Sequence, residues 1–360
     1  MQIRQPNVSR IVPVGLDRMT QTERGARDTR RYSVPVGGMA GRIFRGGRLR
    51  WSRMTFLRIL AFVVSSMTSL SILAEPVGSR FFTNRDGLRL HYLEAGHGQE
   101  TIVLVPGWLM PAAVFRLQLE ALGEQFRVLA FDPRSQGQSE VSNESHDPAR
   151  RTADMEDFLI AAGVGDYVLA GWSLGVLESL DFIERKSQPG LRGLILIDNS
   201  IGEGTPPRPA AGSSKRSSAN PREREQYLRD FCRGIFKTTP PDDIAEAVLR
   251  SALQVPAGVA NQLIAQPYPR TYWREIVAGQ QIPVLYVIRS RLREQGEALL
   301  ARKGGQLAQV EVIEDAGHAL FVDAAPRFNA LTADFARRAF SLPANAARPA
   351  TNGHQPSSGN

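Results

Sequence analysis

The chain has 360 residues, of which 42% are hydrophobic, so it can bury the core of one large domain or two ordinary ones. Its net charge of +8 comes from residues 1–74, which hold 13 Arg and 3 acidic residues, while the rest holds 31 basic and 33 acidic residues and offers no basic face for nucleic acid. The single cysteine, Cys232, excludes an internal disulfide and a cysteine-rich metal site.

The first 74 residues predict an export signal rather than a folded domain. Residues 1–53 are rich in Arg, Gly and Pro, and we expect them to be disordered or untranslated. Residues 54–74 have a basic start, a short apolar middle and a small last residue, as secretory signal peptides do. The apolar part, residues 59–74, is shorter than the ~20 residues of a membrane-spanning helix. We therefore expect cleavage near Glu75, export to the periplasm or the medium, and no stable membrane insertion. The alternative is a membrane anchor formed by residues 59–74.

From residue 79 onward, predicted strands and helices alternate. A turn at residues 84–87 with the sequence Asn-Arg-Asp-Gly joins two strand-like stretches, 80–83 and 88–92, and predicts a hairpin. The elements that follow are predicted as strands at 101–105, 127–131, 166–170 and 191–197, and as helices that end near 123 or span 152–162 and 176–185.

The composition changes after the strand that ends at residue 197. Residues 202–222 are rich in Pro, Ser, Gly and Arg and indicate an exposed loop. Apolar residues then recur at helical spacing, so we predict that residues 201–281 form a helical cap. Strands at 282–288 and 309–313, helices through 301 and over 326–340, and a disordered tail at 342–360 complete the predicted elements. We expect an α/β fold with a mostly parallel sheet and helices on both faces, built from residues 75–200 and 282–341.

The pentapeptide Gly171-Trp172-Ser173-Leu174-Gly175 lies between a predicted strand and a predicted helix. In that context G-x-S-x-G forms a tight turn that lifts the serine hydroxyl out of the backbone, with glycines where larger side chains would collide. Ser173 is therefore a candidate nucleophile. The alternative is an ordinary turn in which Ser173 caps the following helix.

Within residues 79–341, four motifs together resemble those of the α/β-hydrolase superfamily. The pentapeptide resembles the nucleophile elbow, and Asp-Ala-Gly-His at 315–318 resembles the late histidine loop. Val-Pro-Gly-Trp at 105–108 resembles the oxyanion loop, with Pro106 where His is usual. Residues 132–139 resemble the D-x-R-G-x-G-x-S segment, with Ser135 at the first Gly. The cap and the elbow are similar to those of small carboxylesterases.

The resemblance implies the roles of four residues. Ser173 would be the nucleophile and His318 the base, since the family's order is serine, acid, histidine and His318 alone follows Ser173 outside the tail. The backbone N–H groups of Leu174 and Trp108 would form the oxyanion hole. The Trp108 side chain would line the acyl pocket or pack in the core.

The acid of the triad is ambiguous from the sequence. The family's usual position, after the strand at 283–288, falls on Leu292, and leucine cannot orient an imidazole. Asp198 ends the preceding strand, where some members of the superfamily place the acid, and we predict that it serves here. Glu294, two residues beyond Leu292, is the alternative. A third possibility is that Asp198 caps its strand and the triad is incomplete.

These residues predict a serine hydrolase that cleaves carboxylic esters, with a small ester and water as substrates. No metal-binding or nucleotide-binding motif is present, so we expect no cofactor. The same residues would also suit hydrolysis of a lactone or amide, or peracid formation. The missing Asp at Leu292 leaves a further alternative, a non-catalytic member of the fold that binds a small ligand or a protein.

Overall fold

One eight-stranded sheet organises the chain in the computed structural model, which describes residues 76–206, 220–265 and 267–343. Its strand order is β1-β2-β4-β3-β5-β6-β7-β8, and every neighbouring pair from β4 to β8 is parallel. The strands are β1 (Gly78–Thr83), β2 (Arg89–Ala95), β3 (Thr101–Val105), β4 (Arg127–Asp132), β5 (Tyr167–Trp172), β6 (Leu191–Ile197), β7 (Val284–Ile288) and β8 (Ala308–Val312). The predicted α/β-hydrolase architecture is confirmed.

The strands differ in how deeply they are buried. Every residue of β3, β5 and β7 is buried, as expected of parallel strands covered by helices on both faces. By contrast, β1 lies at the sheet edge, pairs antiparallel with β2 and is mostly exposed. Asn84 closes this hairpin by accepting from the N–H groups of Asp86 and Leu88.

Ten α-helices surround the sheet within the described residues. They are α1 (Arg116–Leu122), α2 (Pro148–Ala161), α3 (Leu174–Arg185), α4 (Pro221–Gly234), α5 (Asp242–Gln254), α6 (Ala257–Ile264), α7 (Arg270–Gly279), α8 (Arg293–Lys303), α9 (Leu320–Asp323) and α10 (Ala325–Ser341). Helix α2 begins four residues earlier than predicted, because Asp147 caps it by accepting from the Arg150 N–H and Pro148 fits its first turn. None of these helices has the length and hydropathy needed to cross a bilayer.

The helices bury two apolar clusters. One lies under α1 and α10 and continues into α4, α5 and α6 through Leu228, Val248 and Leu263. The other lies under α2, α3 and α8 and includes Trp273 and Ile276 of α7. The stretch predicted as a cap therefore divides in the structure: α4 to α6 pack above the first cluster, while α7 packs with the helices that cover the opposite face of the sheet.

Several sequence predictions fall outside the described residues. These are the N-terminal extension 1–53, the signal peptide or anchor within 54–74, most of the loop 202–222, and the tail beyond residue 343.

Four neighbouring parallel strands end at one edge of the sheet. Ser173 follows β5, Asp198 follows β6, Arg289 follows β7, and His318 lies on the loop after β8. Crevices at the carboxyl ends of parallel strands are where α/β proteins bind ligands, so a functional site is expected at this edge.

Candidate active site

Ser173 occupies a strained turn between β5 and α3. Its φ of +55° lies in the left-handed region that side chains other than glycine avoid. Glycine is required on both sides, because a Cβ on Gly171 would lie 2.3 Å from the carbonyl oxygen of Gly175, and one on Gly175 would lie 2.3 Å from that of Val105. Its backbone strain points to a functional turn rather than an ordinary cap, and no cap bond from its side chain is formed.

The imidazole of His318 joins the serine to a carboxylate. Its Nε2 lies 2.8 Å from Ser173 Oγ, and its Nδ1 lies 2.7 Å from Asp198 Oδ2. With the ring proton on Nδ1, Asp198 accepts it and Nε2 is left to accept the serine proton. The three side chains proposed from the sequence thus lie within hydrogen-bonding distance, although 145 positions separate Ser173 from His318.

Asp198 is completely buried and held by several donors. The backbone N–H of Arg289 donates to Oδ1 at 3.1 Å, and the Arg289 guanidinium donates to Oδ2 at 2.7 Å. Burial opposes ionisation, but the bonds and charges of His318 and Arg289 outweigh it and lower the pKa of Asp198 to about 2. The carboxylate therefore stays ionised from neutral pH down to well below pH 4.

The alternative acid, Glu294, bonds to a different segment of the chain from the one that carries His318. Its carboxylate is exposed and accepts from the N–H and hydroxyl of Thr205, at 3.0 and 2.8 Å, which lowers its pKa. Leu292 is fully buried in the second apolar cluster. Of the two carboxylates that the sequence left open, Asp198 is the one that contacts His318.

Arg289 is a site residue that the sequence reasoning missed. Its guanidinium NH2 group lies 2.6 Å from Asp198 Oδ2 and 3.4 Å from His318 Nδ1. The available signal was its place directly after β7, where the resemblance implies that polar residues enter the site. An arginine after a strand is ordinarily a solvated side chain, so the pattern alone did not single it out.

The loop that carries His318 is fixed on two sides. The indole N–H of Trp172 donates to the His318 carbonyl at 2.9 Å, and the two rings lie 5.2 Å apart. Asp323 accepts from the N–H of Gly317 at 2.8 Å and from the N–H groups of Lys237 and Thr238, which follow α4. One carboxylate thus ties the histidine loop to the helical region predicted as a cap.

The predicted oxyanion donors border the serine. Leu174 begins α3, and an N–H in the first turn of a helix has no acceptor within that helix. The neighbouring loop passes close by, since a Cβ on Gly107 would lie 3.0 Å from Ser173 Cβ. The Trp108 side chain is buried, its ring N–H donates to the Ala260 carbonyl at 2.8 Å, and its ring meets Phe231 edge-on. That side chain therefore packs against α4 and α6.

The backbone next to Trp108 is strained and held in place. Leu109 has a φ of +63°, its N–H donates to the side chain of Gln136, and its carbonyl accepts from Ser251 Oγ at 2.8 Å. Gln136 belongs to the segment that resembles D-x-R-G-x-G-x-S. Ser135, which replaces its first Gly, has a φ of +68°, and its hydroxyl contacts His146 Nε2 at 2.8 Å. These bonds hold a serine in a backbone conformation that glycine adopts freely.

A second serine, histidine and aspartate come together on the neighbouring strands β1, β2 and β4. Ser79 Oγ lies 2.8 Å from His91 Nε2, and His91 Nδ1 lies 2.7 Å from Asp132 Oδ2. Ser79 lies in the regular strand β1, and its φ is not positive. Asp132 also accepts from the Ala112 N–H and so holds the adjoining loop in place. We interpret this second arrangement as structural. In the part of the chain that the structure describes, no cluster of three or more His, Cys, Asp or Glu residues is arranged to hold a metal.

Known proteins are similar in sequence over part of the chain. N-formylmaleamate deformylase from Pseudomonas putida is 31% identical over 117 residues, which make up 32% of this chain and 43% of that protein. The chain thus aligns with less than half of that relative's length. AB hydrolase superfamily protein YisY from Bacillus subtilis is 22% identical over 71% of this chain and 98% of its own length.

Solved structures extend the similarity to the whole fold. A putative aryl esterase from Burkholderia cenocepacia superposes with a TM-score of 0.64 and 20% identity, over 74% of this chain and all of that one. At this level of identity the likeness concerns the fold. A model of the alpha/beta hydrolase family matches residues 102–331, which is more than half of the sequence. The chain belongs to the alpha/beta hydrolase family.

Proposed function

We propose that this protein is a serine hydrolase that cleaves carboxylic esters through an acyl-enzyme, with Ser173 as nucleophile, His318 as base and Asp198 as acid. The observation that carries the proposal is the bridging imidazole, with Ser173 Oγ at 2.8 Å on one side and Asp198 Oδ2 at 2.7 Å on the other. A serine hydroxyl is a weak nucleophile until such a base accepts its proton.

In the acylation step, Ser173 Oγ attacks the acyl carbonyl carbon while its proton moves to His318 Nε2. Negative charge collects on the former carbonyl oxygen, where the N–H groups of Leu174 and Trp108 would bind it. Such a donor contributes about 3 kcal/mol or more to the transition state. The ionised carboxylate of Asp198 stabilises the imidazolium.

The imidazolium then donates its proton to the departing alkoxide, which leaves as an alcohol. In the second half of the reaction, His318 Nε2 accepts a proton from water and the resulting hydroxide attacks the acyl carbon. Collapse of this intermediate breaks the bond to Ser173 Oγ, returns the proton to the serine and releases the carboxylic acid. Every proton in the cycle passes through one nitrogen.

Hydrolysis of an amide is the second candidate. The observation that favours it is the 31% identity to a protein named a deformylase, a name that describes removal of a formyl group. The same three side chains would act, but His318 would protonate a nitrogen leaving group. Relative turnover of matched formyl esters and formamides separates the two candidates.

The test uses the full-length chain with a fluorophosphonate label and a panel of p-nitrophenyl esters. We expect labelling at Ser173 and ester turnover, both lost in Ser173→Ala. Ser79→Ala is the matched control, because it removes a serine that also contacts a histidine paired with an aspartate, but on an unstrained strand. We expect wild-type labelling from it. Unchanged labelling of Ser173→Ala, or no labelling and no turnover of the wild type, would contradict the proposal.

A further inference from the structure

We propose that Arg289 is a fourth functional member of this site, a positioning residue that fixes Asp198 and offsets its charge beside His318. The inference rests on the proposed function and deepens it. Arg289 follows β7, between the strand that delivers Asp198 and the strand that precedes the His318 loop. The arginine thus enters the site from the strand end where the family resemblance placed an acid.

The contacts of Arg289 satisfy both oxygens of the carboxylate. Its backbone N–H holds Oδ1 at 3.1 Å, while Nε and NH2 approach Oδ2 at 2.7 and 2.6 Å. Asp198 itself has a φ of +45°, a strained backbone conformation that persists only where surrounding contacts hold the residue in place. A planar guanidinium with two donors on one oxygen supplies the orientation that a flexible ammonium cannot.

The charge of Arg289 alters the electrostatics of the pair. In the resting site, its positive charge balances the buried negative charge of Asp198, whereas a lone carboxylate would leave one net negative charge behind the imidazole. During turnover, the imidazolium forms with a guanidinium 3.4 Å from Nδ1. Removal of Arg289 would therefore leave the imidazolium beside an uncompensated carboxylate, an arrangement that Coulomb attraction favours.

Other charged and titratable groups near the cluster have partners of their own. The Tyr286 hydroxyl of β7 donates to the Asn199 carbonyl at 2.6 Å, and burial raises the pKa of that phenol, which stays neutral. The Arg270 guanidinium of α7 donates to the Ser200 hydroxyl and to the backbone carbonyl of Glu203, while Arg291, in the turn after β7, is exposed to solvent. On the histidine loop, Asp315 pairs with Lys237 and Glu314 pairs with Arg293. Among the residues that the structure describes, Arg289 is the cation that contacts both Asp198 and His318.

Two variants of the full-length chain separate the effect of position from the effect of charge. Arg289→Gln removes both, and we expect kcat to fall by roughly tenfold to a hundredfold with KM changed by less than about threefold. In the pH profile of kcat/KM for this variant, the acid limb, where activity falls as pH is lowered, should move to higher pH by roughly one unit. Arg289→Lys retains the charge, so its acid limb should stay near that of the wild type while kcat recovers in part.

Arg293→Gln is the matched control. It also removes one positive charge near the site, but its partner is Glu314 and it makes no contact with Asp198. We expect wild-type kcat and a wild-type acid limb. The proposal is overturned if Arg289→Gln keeps the wild-type kcat and acid limb, or if Arg289→Lys and Arg289→Gln lose activity equally with the same pH profile, which would indicate a purely structural role.

A measurement without turnover keeps this proposal distinct from the proposed function. The ring C–H signals of His318, assigned by their absence from His318→Gln, can be followed by NMR as pH changes. We expect protonation of the ring at higher pH in Arg289→Gln than in the wild type or in Arg289→Lys. If the wild type hydrolyses no ester but this difference is found, the proposed function fails while the electrostatic role of Arg289 stands. Coincident titrations in all three proteins would reject that role.

Discussion

At the scale of single residues, the site depends on which carboxylate faces the imidazole. Asp198 lies 2.7 Å from His318 Nδ1, whereas Glu294 bonds to Thr205. Chain order and motif spacing made Ser173 and His318 candidates, because each lies in a local pattern. The acid and Arg289 could not be assigned in the same way, since their roles follow from how three neighbouring strand ends converge.

Replacing Asp198 tests this assignment directly. We expect Asp198→Asn to lower kcat by roughly a thousandfold or more, because a neutral amide cannot stabilise the imidazolium and favours the wrong ring tautomer. Glu294→Gln should keep kcat within about threefold of the wild type. Steady-state kinetics on one p-nitrophenyl ester measures both. Near-full turnover of Asp198→Asn together with loss of activity in Glu294→Gln would reverse the assignment.

At the scale of elements, the strands were predictable and the packing of the helices was not. The sequence predicted six of the eight strands to within about two residues, and the turn at residues 84–87 predicted the hairpin formed by the other two. Helix α7 falls within the predicted cap because residues 201–281 interrupt the alternation of strands and helices in the sequence. Its packing on α3 depends on contacts between Trp273 and the opposite face of the sheet, which periodicity does not encode.

The link between the histidine loop and the segment after α4 is a testable element contact. Asp323 holds Gly317, Lys237 and Thr238 through its two oxygens, and those bonds lower its pKa despite partial burial. We expect Asp323→Ala to lower kcat by about tenfold, because the loop carrying His318 loses its anchor. KM and the thermal midpoint should be measured alongside.

Asp315→Ala serves as the control for that experiment. Asp315 lies on the same loop but is 96% exposed and pairs only with Lys237, so its loss should leave kcat unchanged. Equal kinetics for the two variants would show that the contact with the segment after α4 does not position the histidine.

At the scale of the whole molecule, acid stability should depend on His146. Burial and the charge of Arg134 lower the pKa of this histidine to about 4, well below its usual value of 6.5. Between these values the unfolded chain binds a proton that the folded chain does not, so stability rises with pH from about 4 to 6.5 and falls on acidification. The contribution over that window is about 2 kcal/mol.

Urea unfolding at a series of pH values measures this contribution. We expect the free energy of unfolding to fall less between pH 6.5 and 4 in His146→Gln than in the wild type. His97→Gln, at an exposed loop position, should follow the wild type. A wild-type slope in His146→Gln would mean that other groups govern the acid response.

The use of four successive strand ends has a consequence for how the protein is made. Ser173 and Asp198 leave the ribosome early, but the imidazole follows 120 residues after Asp198. A chain that stops before the loop after β8 contains Ser173 and Asp198 but lacks His318. On the proposed mechanism, the hydroxyl of such a chain has no base to accept its proton, so a partly synthesised chain should not react with the fluorophosphonate label.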